Sequence, residues 1–293
     1  MAAIDVRSIS SKLKQDLKTE VDKILDKGGR APHLSAIIVG ENPASKAYVN
    51  NKMKTCGEVG FESSVHALSV DTSHQELLQL IHRLNQDSTV DGFILQLPLP
   101  PHLDGQSLLL EIDPSKDVDG FHPMNVGKMV LGLEGYLPAT PYGIMMLLEE
   151  LDISTAGKKC AILGRSDIVG TPMAILMSRK GKYQDATVTL LHSRSKNIQS
   201  ELQAADIIIA AIGIPNYVTG EMVSPGAIVI DVGINQVEDP SSKKGYKLTG
   251  DCDFDAIQAK ASLITPMPGG VGLMTILGLM KNTLKSYQLK ANE

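Results

Sequence analysis

The stretch Lys158-Lys159-Cys160-Ala161-Ile162-Leu163-Gly164-Arg165-Ser166-Asp167-Ile168-Val169-Gly170-Thr171-Pro172 decides how this chain is read. Its first part is an apolar run of strand length that feeds directly into a glycine turn. Gly164 permits the tight turn, and Gly170 opens a helix whose N-terminal N–H groups can face an anion. Open parallel sheets hold ligands at the carboxyl ends of their strands, which is where this turn falls. It is not the G-x-G-x-x-G fingerprint, because Arg165 and Ser166 stand in the middle. Spacing alone therefore suits an ordinary tight turn as well as a nucleotide site.

Three further strands, at 187–191, 206–211 and 227–231, extend the pattern downstream. A site selective for NAD carries an acidic residue at the end of its second strand, to hold the ribose hydroxyls. Here the chain reads Leu191-His192-Ser193-Arg194-Ser195-Lys196, basic and hydroxyl-rich. That composition suits a 2′-phosphate and favours NADP over NAD, with Arg165 converging from the first turn. The competing reading is a solvated loop with two incidental cations. The next strands end in Ala210-Ala211-Ile212-Gly213-Ile214-Pro215 and Asp231-Val232-Gly233, whose small residues let a cofactor approach the backbone. The candidate cofactor-binding residues are Gly164, Arg165, Ser166, Ser193, Arg194, Gly213 and Ile234. Residues 234–250 are polar and turn-rich, as in a hairpin.

The first half of the chain alternates in the same way. Ile9, Leu13, Leu17, Val21 and Ile24 recur at helical spacing, and Gly28-Gly29 closes the pattern. Strands are expected at 34–39, 63–68 and 91–97, with a helix marked by Leu77, Leu78, Ile81 and Leu84 between the last two. Pro98, Pro100 and Pro101 stop the third strand. Alternating strands and helices imply βαβ units and parallel sheets, an α/β protein of two domains. The crossing falls around Leu137-Pro138-Ala139-Thr140-Pro141, followed by a helical run over 144–151. A last helix covers 275–287.

At 293 residues the chain accommodates two domains, and its hydrophobic content of 43% is ordinary for a globular protein. A net charge of -5 argues against a nucleic-acid partner, and no apolar run is long enough to span a bilayer. The first seven residues lack a signal or transit pattern. Cys56, Cys160 and Cys252 are scattered and not at metal-ligand spacing, so a reducing cytoplasm and no metal site are expected.

Chemistry is expected in Ser45-Lys46-Ala47-Tyr48-Val49-Asn50-Asn51-Lys52, where a helix brings Tyr48 and Lys52 onto one face. Read locally, Lys46, Lys52 and Lys54 equally describe the wet face of an ordinary helix. Four other segments are over-specified for loops. They are Gln96-Leu97-Pro98-Leu99-Pro100, Lys116-Asp117-Val118-Asp119-Gly120, Thr140-Pro141-Tyr142-Gly143, and Pro266-Met267-Pro268-Gly269-Gly270-Val271-Gly272. The last combines rigid and permissive residues as a ligand-hugging loop does.

Taken together, Tyr48-Val49-x-x-Lys52, the Gln96 and Lys116 segments, Gly164-Arg165-Ser166-x-x-Val169-Gly170-x-Pro172 and Pro268-Gly269-Gly270-Val271-Gly272 carry a family resemblance. The chain resembles the bifunctional methylenetetrahydrofolate dehydrogenase/methenyltetrahydrofolate cyclohydrolase family from near Ile4 to Lys285. The resemblance implies a folate-binding catalytic domain over 1–140 and a Rossmann-type NADP-binding domain over 141–272, with a folate cleft between them. The helix at 273–288 is expected to pack back onto the first domain. The resemblance also implies a cytoplasmic homodimer acting on tetrahydrofolate derivatives, in one-carbon metabolism and purine biosynthesis. By it Lys52 is the catalytic lysine, Gln96 the amide that orients it, Tyr48 the tyrosine beside the folate and Asp119 the carboxylate that holds the pterin. Leu97, Pro268, Gly269, Gly270 and Val271 complete the substrate-binding set. Asp117 is expected to be the more exposed carboxylate of its pair and to shape the turn. A fused formyltetrahydrofolate ligase domain, present in some relatives, is not expected, since the sequence closes soon after the last helix.

One position departs from the family pattern Pro-Gly-Gly-Val-Gly-Pro-Met-Thr: Leu273 stands where the second proline is usual. A proline fixes φ in a first helical turn, and leucine relaxes it. Two other functions compete with the bifunctional enzyme: a shikimate-dehydrogenase-like NADP enzyme, and a non-catalytic nucleotide-binding module.

Overall fold

The computed structural model describes residues 3–242 and 245–291. Met1 and Ala2 of the N-terminal stretch, and Lys243 and Lys244 of the expected hairpin, lie outside the described residues. The elements follow one another as α1 (Val6–Asp26), β1 (His33–Val39), α2 (Pro43–Val59), β2 (Glu62–Leu68), α3 (His74–Gln86), β3 (Gly92–Leu95), α4 (Gly105–Leu110), α5 (Pro123–Leu131) and α6 (Ala139–Glu150). The chain continues through β4 (Lys159–Leu163), α7 (Gly170–Ser178), β5 (Thr187–Leu191), α8 (Ile198–Gln203), β6 (Ile207–Ala210) and β7 (Ile228–Asp231). It ends with β8 (Asn235–Glu238), β9 (Tyr246–Thr249), α9 (Phe254–Gln258), β10 (Leu263–Ile264) and α10 (Val271–Ala291). Two compact units result: Ser11–Ala139 with residues 276–291, and residues 3–10 with Thr140–Thr275.

The first unit is built on a parallel sheet of order β2-β1-β3. The central strand β1 buries every residue from Leu34 to Val39, as a strand flanked on both edges and covered on both faces must. β2 lies at the edge and alternates exposed with half-buried residues, Val65 being 46% exposed. Ile37, Leu77, Ile81, Phe93 and Leu108 form the core between this sheet and its helices. Local chemistry sets the helix limits. Asn42 caps α2 by accepting from the N–H groups of Ala44 and Ser45, Pro43 stands in its first turn, and Gly60 closes it at φ 83°. Ser73 and Glu76 form a capping box on α3.

β3 is shorter than the expected strand over 91–97, pairing regularly only from Gly92 to Leu95, although the Gln96 N–H still reaches the Ile37 carbonyl at 2.9 Å. Beyond it Pro98 has no N–H to donate to the ladder. On the far side of β3 lies the segment Lys116–Asp119, which the Phe93 N–H joins through the Lys116 carbonyl at 3.1 Å. Gly92 makes that approach possible, because a Cβ there would stand 2.2 Å from Val118 Cγ1. Lys116 is itself buried, its ammonium donating to the carbonyls of Leu84 and Asp87 at the end of α3. Burial brings its pKa down to about 8.

From Ile276 onward α10 belongs to this unit and ties its loops together. Asn282 donates to the carbonyls of Val118 and Leu137, both at 2.8 Å. Ser286 donates to those of Asp91 and Ser115, and Lys285 to that of Gly135.

The second unit carries five parallel strands in the order β10-β7-β6-β4-β5, with the antiparallel pair β8-β9 apart from them. Counted along the chain from β4, this is the doubly wound order 2-1-3-4-5, whose switch point lies between β4 and β6. Its core gathers Leu163, Ile208, Val229 and Ile264. One expectation is corrected here. Thr140, Pro141, Tyr142 and Gly143 are not a loop but the start of α6, because proline and threonine are tolerated in a first helical turn. Gly143 permits close packing there, since a Cβ would meet the Met274 carbonyl oxygen at 2.4 Å. Among the described residues no helix is long and apolar enough to cross a membrane.

Asn282→Ala is expected to destabilise the chain by about 2–4 kcal/mol, because two buried carbonyls lose their donor. Urea unfolding followed by circular dichroism measures this, and an unchanged midpoint would show that water replaces the amide.

Candidate active site

Lys52 is an amphipathic side chain placed where its charge is least welcome. It sits on α2, four residues after Tyr48, and is only 4% exposed. Lys46 and Lys54 keep to the surface, paired with Glu41 and Glu58. The wet-face reading therefore holds for those two lysines and fails for Lys52. The Lys52 Nζ donates to Gln96 Oε1 at 3.3 Å and lies 5.0 Å from the centre of the Tyr48 ring. Gln96 is held in turn, its Nε2 donating to the Leu97 carbonyl at 2.7 Å. The amide oxygen thus faces the lysine because the amide nitrogen is engaged elsewhere.

Burial lowers the Lys52 pKa from its ordinary 10.5, while Asp119 and Cys56 pull it back up. Burial likewise raises the Asp119 pKa, against the attraction of Lys52. Both groups are pushed towards neutrality by the same lack of water. Cys56, one turn beyond Lys52, is fully buried and is pushed up to about 12, so it is an inert thiol.

Asp117 and Asp119 exchange the roles expected for their exposure. Asp117 is 3% exposed and accepts from the N–H groups of Phe121 and His122 and from Asn125 Nδ2. It shapes the turn from inside, and burial raises its pKa to about 6. Asp119 is the half-buried one. The expectation was wrong because a turn followed by Pro123 and α5 needs an internal acceptor for its N–H groups, and Asp117 is the carboxylate in reach. The neighbouring carbonyls are also fixed: Val118 by Asn282, and Asp119 by the Ala139 N–H at 3.2 Å. Gly120, at φ 75°, lies so close to Leu137 that a Cβ would be 2.5 Å from its carbonyl carbon. Lys52, Tyr48, Gln96, Leu97 and Asp119 are all in the first unit.

In the second unit a cavity of ≈ 490 Å³ opens at the switch point, between the ends of β4, β5 and β6. Gly164, Arg165, Ser166 and Ser193 line it, as the sequence suggested. His192, Ile212 and Ile214, from the two strand-end segments expected near the cofactor, also line it, as do Ile198 and Tyr217, which the sequence did not single out. The signal for His192 was its place in the same strand-end loop, while Ile198 and Tyr217 carry no sequence signal beyond hydrophobicity. Gly164 (φ 122°) and Gly170 are obligatory: a Cβ on the first would lie 2.1 Å from the Ala211 oxygen, and on the second 2.0 Å from the Gly164 oxygen. The exposed Arg165 guanidinium and Ser193 hydroxyl supply cationic and donor groups of the kind that a phosphate takes.

Three other expected residues do not line that cavity. Arg194 is exposed, with its backbone N–H on His192 Nδ1. Gly213 adopts φ 69° and gives its N–H to Asp251, and Ile234 is 51% exposed. Pro268, Gly269, Gly270 and Val271 also belong to the second unit. Gly269 turns at φ 95°, where a Cβ would come 3.0 Å from the Arg7 side chain. Leu273 gives its N–H to the Gly270 carbonyl at 3.0 Å, so the turn that a proline would hold by its ring is held here by a hydrogen bond.

A doubly wound unit of the nucleotide-binding type, joined in one chain to an α/β unit that buries an amide-bound lysine, is the architecture of a two-domain dinucleotide-binding protein. Residues 4–119 match the sequence model of the tetrahydrofolate dehydrogenase/cyclohydrolase catalytic domain, and 138–291 match that of its NAD(P)-binding domain. The chain belongs to this family, and its activity is that of an NAD(P)-dependent tetrahydrofolate dehydrogenase and cyclohydrolase. It is 55% identical over 284 residues to the bifunctional protein FolD of Bacteroides thetaiotaomicron, covering 97% of each chain. Among solved structures, the bifunctional enzyme FolD of Campylobacter jejuni superposes with a TM-score of 0.92 at 44% identity, covering 99% of each chain. The Trypanosoma brucei dehydrogenase-cyclohydrolase, solved with NADP cofactor and an inhibitor, gives a TM-score of 0.95 at 37% identity, covering 100% of this chain and 99% of that one.

Lys52→Met removes a buried charge while keeping much of the side-chain length. The variant is expected to be as stable as the parent or more stable by up to about 2 kcal/mol. A fall in the thermal midpoint would show that the ammonium is favourably paired in the resting protein.

Proposed function

We propose that this chain oxidises 5,10-methylenetetrahydrofolate to 5,10-methenyltetrahydrofolate with NADP, then hydrolyses the product to 10-formyltetrahydrofolate. The observation that carries the reading is the buried Lys52 held at 3.3 Å by Gln96. The folate-binding catalytic domain is assigned to 1–140 and the NADP-binding domain to 141–272, with Pro268, Gly269, Gly270 and Val271 as further substrate contacts. Gly164, Arg165, Ser166, Ser193, Arg194, Gly213 and Ile234 are assigned to the cofactor, the first four being supported by their place in the cavity wall.

Bound NADP supplies the acceptor for the hydride that leaves the methylene carbon. In the first reaction the chain's own residues position and exclude water more than they transfer protons. Asp119 offers two oxygens to the pterin's amino group and adjacent ring N–H, a donor pair that a carboxylate accepts bidentately. Tyr48 packs beside the folate. In the second reaction water adds to the carbon of a cation spread over N5 and N10 and loses a proton. The C–N5 bond then breaks and N5 takes up the remaining water hydrogen, leaving the formyl group on N10. Lys52 takes the proton that the water loses on addition as the neutral amine, which burial makes accessible. Gln96 Oε1 fixes the direction of the nitrogen.

The reading extends to a cytoplasmic homodimer serving one-carbon metabolism and purine biosynthesis, as the resemblance implies. Preference for NADP over NAD is supported by Arg165 in the cavity wall and by the absence of a carboxylate from Leu191 to Lys196.

Lys52→Met is expected to lower the cyclohydrolase kcat by at least about 100-fold, the usual scale of general acid–base catalysis. In the parent enzyme the same rate rises with pH as Lys52 loses its proton, and the limb lies below lysine's ordinary 10.5 because burial lowers this pKa. A full rate in the variant, or a limb at or above 10.5, removes the role assigned to Lys52. Parallel spectrophotometric assays with methylenetetrahydrofolate address the cofactor. Arg165→Ala is expected to raise the KM for NADP by about ten-fold and to leave that for NAD within about two-fold. Nucleotide reduction without folate would point instead to a shikimate-dehydrogenase-like enzyme.

A further inference from the structure

The second unit contains a pair of internal carboxylates that neither the cavity lining nor the proton transfer accounts for. Asp231 ends β7 and Asp251 follows β9; they are 4% and 0% exposed. Asp231 accepts from the N–H groups of Gly233, Asp251 and Cys252 at 2.9–3.0 Å, and its own N–H donates to Thr265 Oγ1 at 2.8 Å. Asp231 thereby fixes the backbone at Asp251. The Asp251 carboxylate reaches sideways to the next strand end. Its Oδ2 accepts from the N–H groups of Ile212 and Gly213 at 2.7 and 3.0 Å, and its Oδ1 from Asn235 Nδ2 at 2.9 Å.

Ile212 and Ala211 line the nucleotide cavity, and Gly213 turns at φ 69° immediately behind them. Two successive N–H groups converging at a strand end form the kind of concavity that binds anions in phosphate sites. Here that concavity is filled by the chain's own carboxylate. It therefore has no donors left for a phosphate, and the cavity's anion-binding duty falls to Arg165, Ser166 and Ser193 on the other two strand ends. The Ala211–Ile214 segment is left as a wall of defined position, held from behind by a buried charge.

We propose that Asp251 is a positioning residue for the nucleotide, holding the Ala211–Ile214 wall of the cavity through the amides of Ile212 and Gly213. It touches neither substrate nor cofactor. The inference rests on the nucleotide reading of this cavity, and the two activities of the enzyme allow the two to be tested separately.

The experiment uses the full-length enzyme and compares Asp251→Ala with Asp251→Asn. The alanine variant leaves both amides without an acceptor. The asparagine variant keeps one oxygen for them, and the Asn235 amide can turn over to accept from the new NH₂ group. Asp251→Ala is expected to raise the NADP KM and the NADPH dissociation constant by about ten-fold, since two charge-assisted hydrogen bonds order the wall. Asp251→Asn is expected to restore both to within about three-fold of the parent, and hydrolysis of methenyltetrahydrofolate without nucleotide is expected to stay within about two-fold in both variants. An unchanged NADP KM in Asp251→Ala, or a parallel loss of both activities, would overturn the proposal.

Should Asp251→Ala not fold, Asn235→Ala takes its place. It removes one partner of the same carboxylate, and a rise of about three-fold in the NADP KM is expected; no rise overturns the assignment. If the parent itself lacks both folate activities but binds NADPH, the functional reading fails, and the dissociation constants still decide the role of Asp251.

Discussion

Removing one ammonium group from water organises the first unit. Lys52 on the outside of a helix would be one more solvated cation, like Lys46 and Lys54 on either side of it. Inside, its charge must be answered, and the surrounding structure answers it in parts. β3 delivers Gln96 at its carboxyl end, and the Leu97 carbonyl takes the amide's NH₂ group so that its oxygen points to the lysine. The Lys116–Asp119 segment lies along β3 because Gly92 leaves room for Val118. That segment sets Asp119 where it acts electrostatically on Lys52, while the backbone on either side is held by Asn282 and Ala139. Each contact is modest. Together they hold the ammonium where burial lowers its pKa while Asp119 pulls it back up.

The second unit solves a different problem with the opposite charge. A nucleotide cavity at a switch point needs strand ends that do not move, yet its loops are short and rich in glycine. Two buried aspartates supply the stiffness by accepting six hydrogen bonds, five of them from backbone N–H groups. Their negative charge sits behind the wall, and the cationic side chain sits on the far strand ends.

The alternation of apolar runs with helical periodicity was enough to read both parallel sheets, because burial on two faces leaves an unmistakable run of Val, Ile and Leu. The glycine turn at Gly164 was legible for a related reason: only glycine fits against the Ala211 carbonyl. Short elements escaped. α4 and α5 are six and nine residues long, too brief for periodicity to stand out, and their ends are set by Asp104 and His122 capping backbone N–H groups. Thr140–Gly143 looked like a loop because proline reads as a breaker, although a first turn accepts it. The loop aspartates were ranked wrongly because sequence lists carboxylates without saying which one a turn folds around.

The amino-acid sequence alone determined the fold class, the parallel strands, the glycine turn and, through its ordered motifs, the family. Those features depend on residue type and spacing, which a linear chain displays. Only the tertiary structure decided that Lys52 is buried while its neighbours are wet, that Asp117 is internal while Asp119 is half-buried, and that Asp251 stands behind the Ala211–Ile214 wall of the cavity. These are outcomes of long-range packing. A lysine's pKa or an aspartate's role depends on which atoms surround it, and those atoms come from segments tens to hundreds of residues away, among them Gln96 for Lys52, Asn282 for the Val118 carbonyl beside Asp119, and Ile212 for Asp251.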